Sequence, residues 1–382
     1  MSMRIGYDAK RAFHNFRGLG NYSRDLLAGL KQYYSRHDYL LFTPPLKDDR
    51  AHRWAEEYSS LEVVTPDSYM GQKFSTAWRS LFLSGELKKY NLDIFHGLSH
   101  ELPPGIEKTG IKSVVTIHDL IFMRYPKFFP WVDRKVYLRK VKYACEAADL
   151  VIAICNQTKN DLINFLGVDE KKIRVVYQTC NPRFYSPLSE EKLSSTLSKY
   201  GISGKFILNV GAIEPRKNAL NLVKAFASLK KESNRNLVLI GNGGDYKVEI
   251  ENYIQGKDLG DRVTILSDVT HKDLPAFYQA AELFCYPSHF EGFGIPIIEA
   301  LFSKTPVITS KGSCFPEAGG PDSIYIQSES VSELTQAIED VLTNDELKYK
   351  MIENGRNFVE KFHRSKTSEN LINIYEELLR MK

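Results

Sequence analysis

The chain has 382 residues, of which 43% are hydrophobic and 26% are charged, and its formal net charge is +4. This length is too great for one ordinary hydrophobic core and predicts two domains. The small positive charge does not indicate a nucleic-acid-binding protein, although it permits a local basic surface for anionic partners.

The five cysteines stand far apart and include no C-x-x-C pair, which argues against a disulfide framework or a zinc site. The N-terminal sequence lacks the apolar core of a signal peptide, and no window reaches about 18 consecutive apolar residues. We therefore expect a cytoplasmic protein that reaches any membrane substrate as a peripheral visitor to the inner face.

The first half of the chain alternates short apolar runs with longer helical patterns. Strands are predicted over 4–8, 39–43, 61–65, 93–96, 112–118, 150–154 and 173–176, and helices over 21–34, 131–148 and 157–166. This alternation is typical of a parallel sheet covered by helices on both faces.

The same pattern restarts in the second half. Strands are predicted over 206–210, 237–240, 263–266, 283–286 and 307–309, and helices over 219–231, 246–255, 272–280, 295–302 and within 346–381. Prolines at 182 and 187 place the joint near 184–188. We predict two doubly wound Rossmann-like domains, 1–185 and 186–365, that face each other across a cleft, with 366–382 completing the first.

A glycine-containing segment, RGLGN, follows the first predicted strand. Gly18 and Gly20 let a backbone approach a phosphate closely next to a helix start. A plain tight turn explains the same residues, because the third glycine of a dinucleotide fingerprint is absent.

The segment NVGAIEPRKN, 209–218, follows a strand and is predicted to open a helix. Arg216 and Lys217 are suited to neutralise a diphosphate and to stabilise it as a leaving group. The alternative is a solvated basic pair, although cations at a helix N-terminus oppose the helix dipole unless an anion binds there.

The segment SHFEGFGIPIIEA, 288–300, carries two glutamates around a glycine-rich turn. Backbone N–H groups from Phe293, Gly294 and Ile295 would face a phosphate or a sugar hydroxyl at the helix start. Glu299 lies about one turn into the helix, where it can accept hydrogen bonds from a ribose, and Glu291 lies in the loop. Without the glycines between them, a capping acid and a surface glutamate would explain the pair.

His118 ends an apolar strand, where it can face a ligand and hydrogen-bond to a sugar hydroxyl. A structural histidine is the alternative. The segment SCFPEAG, 313–319, also follows a strand, and we expect it to border the same ligand, either as support or in contact.

Together and in this order, these segments resemble the family 4 retaining glycosyltransferases, which have the GT-B fold. The resemblance covers RGLGNY, the His-Asp pair at 118, GAIEPRKN, EGFGIPIIEA and PEAGG. The two glutamates with Arg-Lys upstream are its most specific part.

The resemblance implies a role for each matching position. Arg216 and Lys217 would hold the donor diphosphate, Glu299 the ribose and Glu291 the donor sugar, while His118 would lie near the sugar's 6-hydroxyl. The remaining positions would present backbone to the nucleotide or its phosphates, and these are Gly18, Gly20, Gly211, Val269, Phe293, Gly294 and Ile295.

The resemblance also implies transfer with retention and without a required metal or other cofactor. It is closest to mannosyltransferases of surface-polysaccharide assembly, so GDP-mannose is the expected donor and a glycan or lipid-linked glycan the expected acceptor. UDP-hexose and UDP-N-acetylhexosamine donors, a nucleotide-sugar epimerase, a glycan phosphorylase and a non-catalytic nucleotide-sugar sensor stay open.

A basic and aromatic stretch of the first domain suggests peripheral contact with an anionic membrane. Its residues are Lys127, Phe128, Phe129, Trp131, Arg134, Lys135, Tyr137, Arg139, Lys140 and Lys142. A solvated helix with its apolar side in the core is the alternative.

Overall fold

The structure is a computed structural model that describes residues 2–66, 78–229 and 234–381. It divides into two compact units, Met1–Thr179 with His363–Lys382 and Cys180–Phe362. The first unit is therefore built from both ends of the chain. The predicted joint at 184–188 lies just inside the second unit.

The first unit contains a parallel sheet of seven strands in the order β3-β2-β1-β4-β5-β6-β7. The strands are β1 (Arg4–Asp8), β2 (Asp38–Phe42), β3 (Glu62–Val64), β4 (Ile94–Gly97), β5 (Lys112–Ile117), β6 (Leu150–Ala153) and β7 (Ile173–Val175). The helices are α1 (Lys10–His14), α2 (Gly18–Tyr33), α3 (Asp49–Glu57), α4 (Leu83–Leu87), α5 (Ile121–Arg124), α6 (Trp131–Ala147) and α7 (Asn156–Leu166).

Side chains alternate between the two faces of this sheet, as the two-residue repeat of a strand requires. In β6, Leu150 and Ile152 pack into one core cluster, whereas Val151 and Ala153 pack into the other. Because both faces are buried, the strands are mostly apolar. This explains why the sequence alone locates them.

The second unit contains a parallel sheet of six strands in the order β10-β9-β8-β11-β12-β13. The strands are β8 (Phe206–Val210), β9 (Asn236–Ile240), β10 (Val263–Leu266), β11 (Leu283–Tyr286), β12 (Val307–Ser310) and β13 (Ile324–Ile326). The helices are α8 (Glu190–Lys199), α9 (Ala219–Ser228), α10 (Asp245–Gly256), α11 (Leu274–Ala280), α12 (Ile295–Phe302), α13 (Phe315–Gly319), α14 (Val331–Thr343) and α15 (Asp345–Val359).

The last helix, α16 (Arg364–Arg380), belongs to the first unit. Tyr375 is fully buried, and its hydroxyl lies 2.6 Å from Nδ1 of His96 on β4. Arg364 forms a buried ion pair with Asp25 of α2, 2.5 Å apart. These contacts fasten the C-terminal segment to the first sheet.

Two doubly wound parallel α/β units confirm the predicted fold class. Several elements were not predicted, namely α1, α3, α4, α5, α8, α13, α14 and β13. Residues 230 and 231 of the predicted helix 219–231 lie outside the described residues, and the described part of that helix ends at Ser228.

None of the helices in the described ranges combines the length and the apolar character needed to cross a bilayer.

Candidate active site

The candidate site of the second unit lies where β8, β11 and β12 end. These strands are neighbours in one parallel sheet, so the segments that follow them emerge at the same edge. This edge is where ligands bind in open α/β sheets.

Arg216 and Lys217 occupy a short 3₁₀ turn, Pro215–Lys217, that follows β8. Asn218 comes next with φ of 58°, and α9 begins only at Ala219. The two cations therefore precede the helix instead of opening it, which corrects the predicted local structure. The Asn218 side chain secures the turn by donating to the carbonyl of Pro287, 3.1 Å away.

Glu291, in the loop after β11, forms an ion pair with each of the two cations. Lys217 Nζ lies 2.6 Å from Glu291 Oε1, and Arg216 Nη1 lies 2.8 Å from Glu291 Oε2. Arg216 also donates to the Phe290 carbonyl at 2.6 Å and pairs with Glu214 at 2.6 Å. We call Arg216, Lys217, Tyr286 and Glu291 the ion cluster.

Tyr286 and Glu291 are buried and Arg216 and Lys217 are half-buried, which strengthens the electrostatic interactions of the ion cluster. Burial would raise the pKa of Glu291, but Lys217 and Arg216 outweigh it and lower that pKa to about 2. Burial opposes the charge of Arg216, and Glu291 and Glu214 outweigh it and raise the pKa of the guanidinium. The carboxylate is therefore ionised throughout the physiological range.

Tyr286, the last residue of β11, is a member of the ion cluster that sequence reasoning missed. Its hydroxyl accepts a hydrogen bond from Lys217 Nζ at 2.6 Å and donates to Glu291 Oε1 at 3.0 Å. Burial, and next the charge of Glu291, raises its pKa well above the ordinary value. A polar side chain at a strand's carboxyl end was the available signal.

The loop from Glu291 to Gly294 is held by the segment after β12. Ser313 Oγ and Cys314 Sγ each lie 3.2 Å from the Glu291 carbonyl, and Cys314 Sγ lies 3.0 Å from the Phe293 carbonyl. The segment 313–319 thus supports the loop, one of the two roles expected for it. Gly294 has φ of 101°, which a residue with a side chain rarely adopts.

Helix α12 begins directly after Gly294, with Ile295 as its first residue. Phe293 is buried. Glu299 lies on the same helix, half-buried, and accepts a hydrogen bond from the hydroxyl of Tyr278 at 2.8 Å. Tyr278 lies on α11, and no sequence motif predicts its contact with Glu299.

Gly211 and Val269 occupy separate places along this sheet edge. Gly211 follows β8, and its N–H donates to the Ile240 carbonyl at 2.9 Å. A Cβ on Gly211 would lie 3.7 Å from the Tyr286 ring, so this backbone borders the ion cluster. Val269 follows β10, which β9 and β8 separate from β11.

His118 lies in the first unit, directly after β5, and is buried. Its Nε2 lies 2.9 Å from the Leu98 carbonyl, and its Nδ1 lies 3.0 Å from Nε2 of Gln178. A carbonyl can only accept, so Nε2 carries the proton and Nδ1 accepts. Burial, followed by the charge of His100, lowers its pKa to about 3, so the ring is neutral.

Gly18 and Gly20 are not in a loop, as the sequence suggested, but in the first turn of α2. A Cβ on Gly20 would approach the Asn15 carbonyl oxygen to 1.5 Å, whereas Gly18 has open space around it. Gly20 therefore permits α2 to pack against the end of α1. Glycine has a low helix propensity, which explains the predicted later start at Asn21.

Arg216 and Lys217 are suited to bind and stabilise a doubly charged phosphate group, because two half-buried cations are already oriented there. Within the described residues, no group of three or more His, Cys, Asp or Glu side chains is placed to hold a metal ion.

Two family models match the chain. The model described as Glycosyltransferase Family 4 matches residues 16–183, and the model described as Glycosyl transferases group 1 matches residues 198–358. The two matches fall on the two halves of the chain and together leave little of it unmatched.

Characterised relatives and a solved structure agree with these matches. The chain is 28% identical to O-antigen chain mannosyltransferase B of Escherichia coli over 76% of each chain. It is 29% identical to O-antigen chain mannosyltransferase RfbU of Salmonella typhimurium over 60% of each. A glycosyltransferase structure from Rickettsia africae superposes with a TM-score of 0.79 at 19% identity over 100% of both chains, which establishes the GT-B fold.

Proposed function

Because the chain belongs to the family 4 glycosyltransferases, we propose that it transfers mannose from GDP-mannose, with retention, to a glycan or lipid-linked glycan acceptor. Glycosyl transfer in polysaccharide assembly follows from the family and from its O-antigen mannosyltransferase relatives. The donor, the stereochemistry and the acceptor are the proposed part.

The observation that carries the proposal is the ion cluster. Arg216 and Lys217 bind the donor diphosphate, and Glu291 keeps both cations oriented before the donor arrives. Glu291 Oε1 already meets Lys217 and Tyr286, and Oε2 meets Arg216. A carboxylate accepts about four hydrogen bonds, so Oε2 retains capacity for one donor-sugar hydroxyl.

The nucleotide lies along the same sheet edge in this proposal. Glu299, oriented by Tyr278, accepts hydrogen bonds from the ribose hydroxyls, and the main chain at Val269 meets the base. Gly211 and the start of α12, from Phe293 to Ile295, present backbone to the phosphates. Gly18 and Gly20, at the start of α2 in the first unit, are also proposed to present backbone to the phosphates.

The reaction proceeds on one face of the sugar. The bond between the anomeric carbon and the diphosphate oxygen breaks as the acceptor oxygen bonds to that carbon, and the acceptor proton passes to the departing phosphate. Arg216 and Lys217 stabilise the negative charge that develops on the leaving group. No metal or covalent nucleophile is required by this proposal.

His118 is proposed to lie next to the sugar's 6-hydroxyl. Both ring nitrogens are engaged, by Leu98 and by Gln178. A hydrogen bond to the sugar therefore requires that hydroxyl to replace one of these two partners.

A ligand panel tests the donor. Thermal unfolding is followed with GDP, UDP, GDP-mannose, UDP-glucose and UDP-N-acetylglucosamine, since a ligand at about 100 times its Kd stabilises by about 2.7 kcal/mol. The proposal predicts the largest shift with GDP-mannose. A larger shift with a UDP-sugar would replace the donor assignment, and conversion of a donor into its epimer without acceptor would indicate an epimerase.

Helix α6 supports peripheral contact with an anionic bilayer. Trp131 is 60% exposed and Val132 is 61% exposed, with Val136 and Tyr137 also exposed on the next turn. Lys135 Nζ lies 3.8 Å from the Trp131 ring centre. Apolar side chains surrounded by cations fit the interface of an anionic bilayer, and a lipid-linked acceptor would be found there.

A further inference from the structure

A second charged cluster lies in the first unit, at the carboxyl ends of β1, β4 and β5. These strands are adjacent in the sheet, so the residues that follow them share one edge. Asp8 ends β1, Glu101 lies in the loop after β4, and His118 follows β5. The edge is equivalent to the one that carries the ion cluster in the second unit.

Arg79 joins the two carboxylates of this cluster. Its Nη1 lies 2.7 Å from Asp8 Oδ2, and its Nη2 pairs with Glu101. Lys140 Nζ approaches Glu101 at 3.0 Å. Asp8 and Glu101 are thus matched by Arg79 and Lys140, and their negative charge is already neutralised.

Lys10 and Arg11 add two further positive charges to this edge. Both are half-buried at the start of α1. Within the described part of the chain, the side chains of Lys10 and Arg11 form no hydrogen bond and no ion pair. Burial, and after it the charges of Arg79 and Arg11, lowers the pKa of Lys10 and outweighs the opposite effect of Glu101 and Asp8.

The loop after β4 folds back tightly at this edge of the sheet. His100 has φ of 63°, a strained conformation for a residue with a side chain. A Cβ on Gly97 would lie 2.0 Å from the Glu101 carbonyl oxygen, so that glycine permits the loop to fold back. The ring centre of His100 consequently lies 5.2 Å from that of His118.

We propose that Lys10 and Arg11 bind a phosphate oxyanion of a substrate, with Arg79 fixed behind them by Asp8 and Glu101. Two half-buried cations that form no direct ion pair with a described residue are suited to a phosphate, whose oxygens accept charge-assisted hydrogen bonds from both. The inference rests on the proposed function only for the source of the oxyanion. That source is the acceptor, as in a lipid-linked glycan diphosphate, or the donor nucleotide.

Calorimetric titration of the full-length protein with inorganic pyrophosphate tests the site. Lys10→Gln/Arg11→Gln is compared with Lys88→Gln/Lys89→Gln, which removes the same charge from two exposed positions of the first unit. We expect pyrophosphate or GDP affinity to fall at least about tenfold in the first variant and to stay at the parent value in the second. The swapped variant Lys10→Arg/Arg11→Lys should retain binding, and the single Gln variants apply if the double variant does not fold.

A second titration, with GDP already saturating, separates the two sources. Pyrophosphate binding that persists in the parent and is lost in Lys10→Gln/Arg11→Gln assigns the site to an acceptor phosphate. A loss of GDP affinity in that variant assigns it to the donor nucleotide. Equal affinity for both probes in the parent and the variant overturns the inference.

The inference and the proposed function fail in different ways. If the parent protein binds no nucleotide sugar, but its pyrophosphate affinity is lost when Lys10 and Arg11 are replaced, then the phosphate site stands and the proposed donor is wrong. If the protein transfers sugar, but replacing Lys10 and Arg11 changes neither its pyrophosphate affinity nor its GDP affinity, then the proposed function stands and the phosphate site is wrong.

Discussion

Lys217 Nζ and Glu291 Oε1 lie 2.6 Å apart, although 73 positions of sequence separate the two residues. The contact joins the turn after β8 to the loop after β11, two neighbouring strands of the second sheet. It orients the ammonium group of Lys217, which we propose to neutralise the leaving diphosphate. Preorganisation of this kind is a principal source of electrostatic catalysis.

The Tyr286 hydroxyl should be a positioning group for this contact. Tyr286→Phe removes a hydrogen bond to each of Lys217 and Glu291 but keeps the ring that packs against Phe284. We expect turnover to fall by about tenfold or more, since a hydrogen bond to a charged group contributes about 1.5–3 kcal/mol and about 1.4 kcal/mol of barrier is a factor of ten in rate. The rate of nucleotide release from the donor measures it.

Tyr349→Phe, at an exposed position of α15, is the matched control for that substitution. Turnover equal to the parent in both variants would show that the Tyr286 hydroxyl does not position the ion cluster.

The stability contribution of Glu291 should depend on pH in one direction. Its pKa in the folded protein is about 2 against an ordinary value of 4.5. The contribution is therefore complete above about pH 4.5 and is lost as the pH falls toward about 2. Denaturant unfolding of the parent and of Glu291→Gln should show a constant gap in free energy of unfolding near neutral pH that narrows in acid. A gap that widens in acid contradicts the assignment.

Chelation should not affect the reaction. If cationic side chains alone stabilise the leaving diphosphate, excess EDTA should leave the transfer rate within about twofold of the untreated rate, a difference of about 0.4 kcal/mol. A metal-dependent transferase in the same buffer verifies that chelation is complete. Abolition of activity by EDTA, with recovery on adding Mg²⁺ or Mn²⁺, would require a metal in the mechanism.

The exposed face of α6 should bind anionic vesicles. Trp131→Ser/Val132→Ser removes its two most exposed apolar side chains. We expect the parent to co-sediment with phosphatidylglycerol-containing vesicles, less so in high salt, and the variant to stay in the supernatant. Tyr349→Ser, in the second unit, controls for general loss of surface hydrophobicity. Equal sedimentation of all three proteins would exclude this face as the contact.

The sequence predicts the sheet strands well because they are buried on both faces and are therefore rich in apolar residues. Several bounds, such as those of β1 (Arg4–Asp8) and β11 (Leu283–Tyr286), are predicted without error. Helix α14 (Val331–Thr343) was missed although its Leu334, Ile338 and Val341 are buried at helical spacing. The periodic signal of this helix is present in the sequence.

The site is predicted less completely, since its geometry comes from tertiary contacts. The motifs locate Arg216, Lys217 and Glu291 one by one, but no spacing rule places both cations on one carboxylate. Tyr278 beside Glu299, and Cys314 beneath the Glu291 loop, come from other elements. The hydrogen bonds that occupy both nitrogens of His118 are likewise invisible in the sequence.

The central claim is that Lys217 and Glu291 act together on the donor. The measurement that tests it most directly is nucleotide release from GDP-mannose by the parent, Lys217→Ala and Glu291→Ala, with Lys257→Ala and Glu346→Ala as controls at exposed positions. We predict that each of the first two variants lowers turnover at least about tenfold, or about 1.4 kcal/mol of barrier, while both controls match the parent. Turnover at the parent rate in Lys217→Ala and Glu291→Ala, with both proteins folded, would contradict the account.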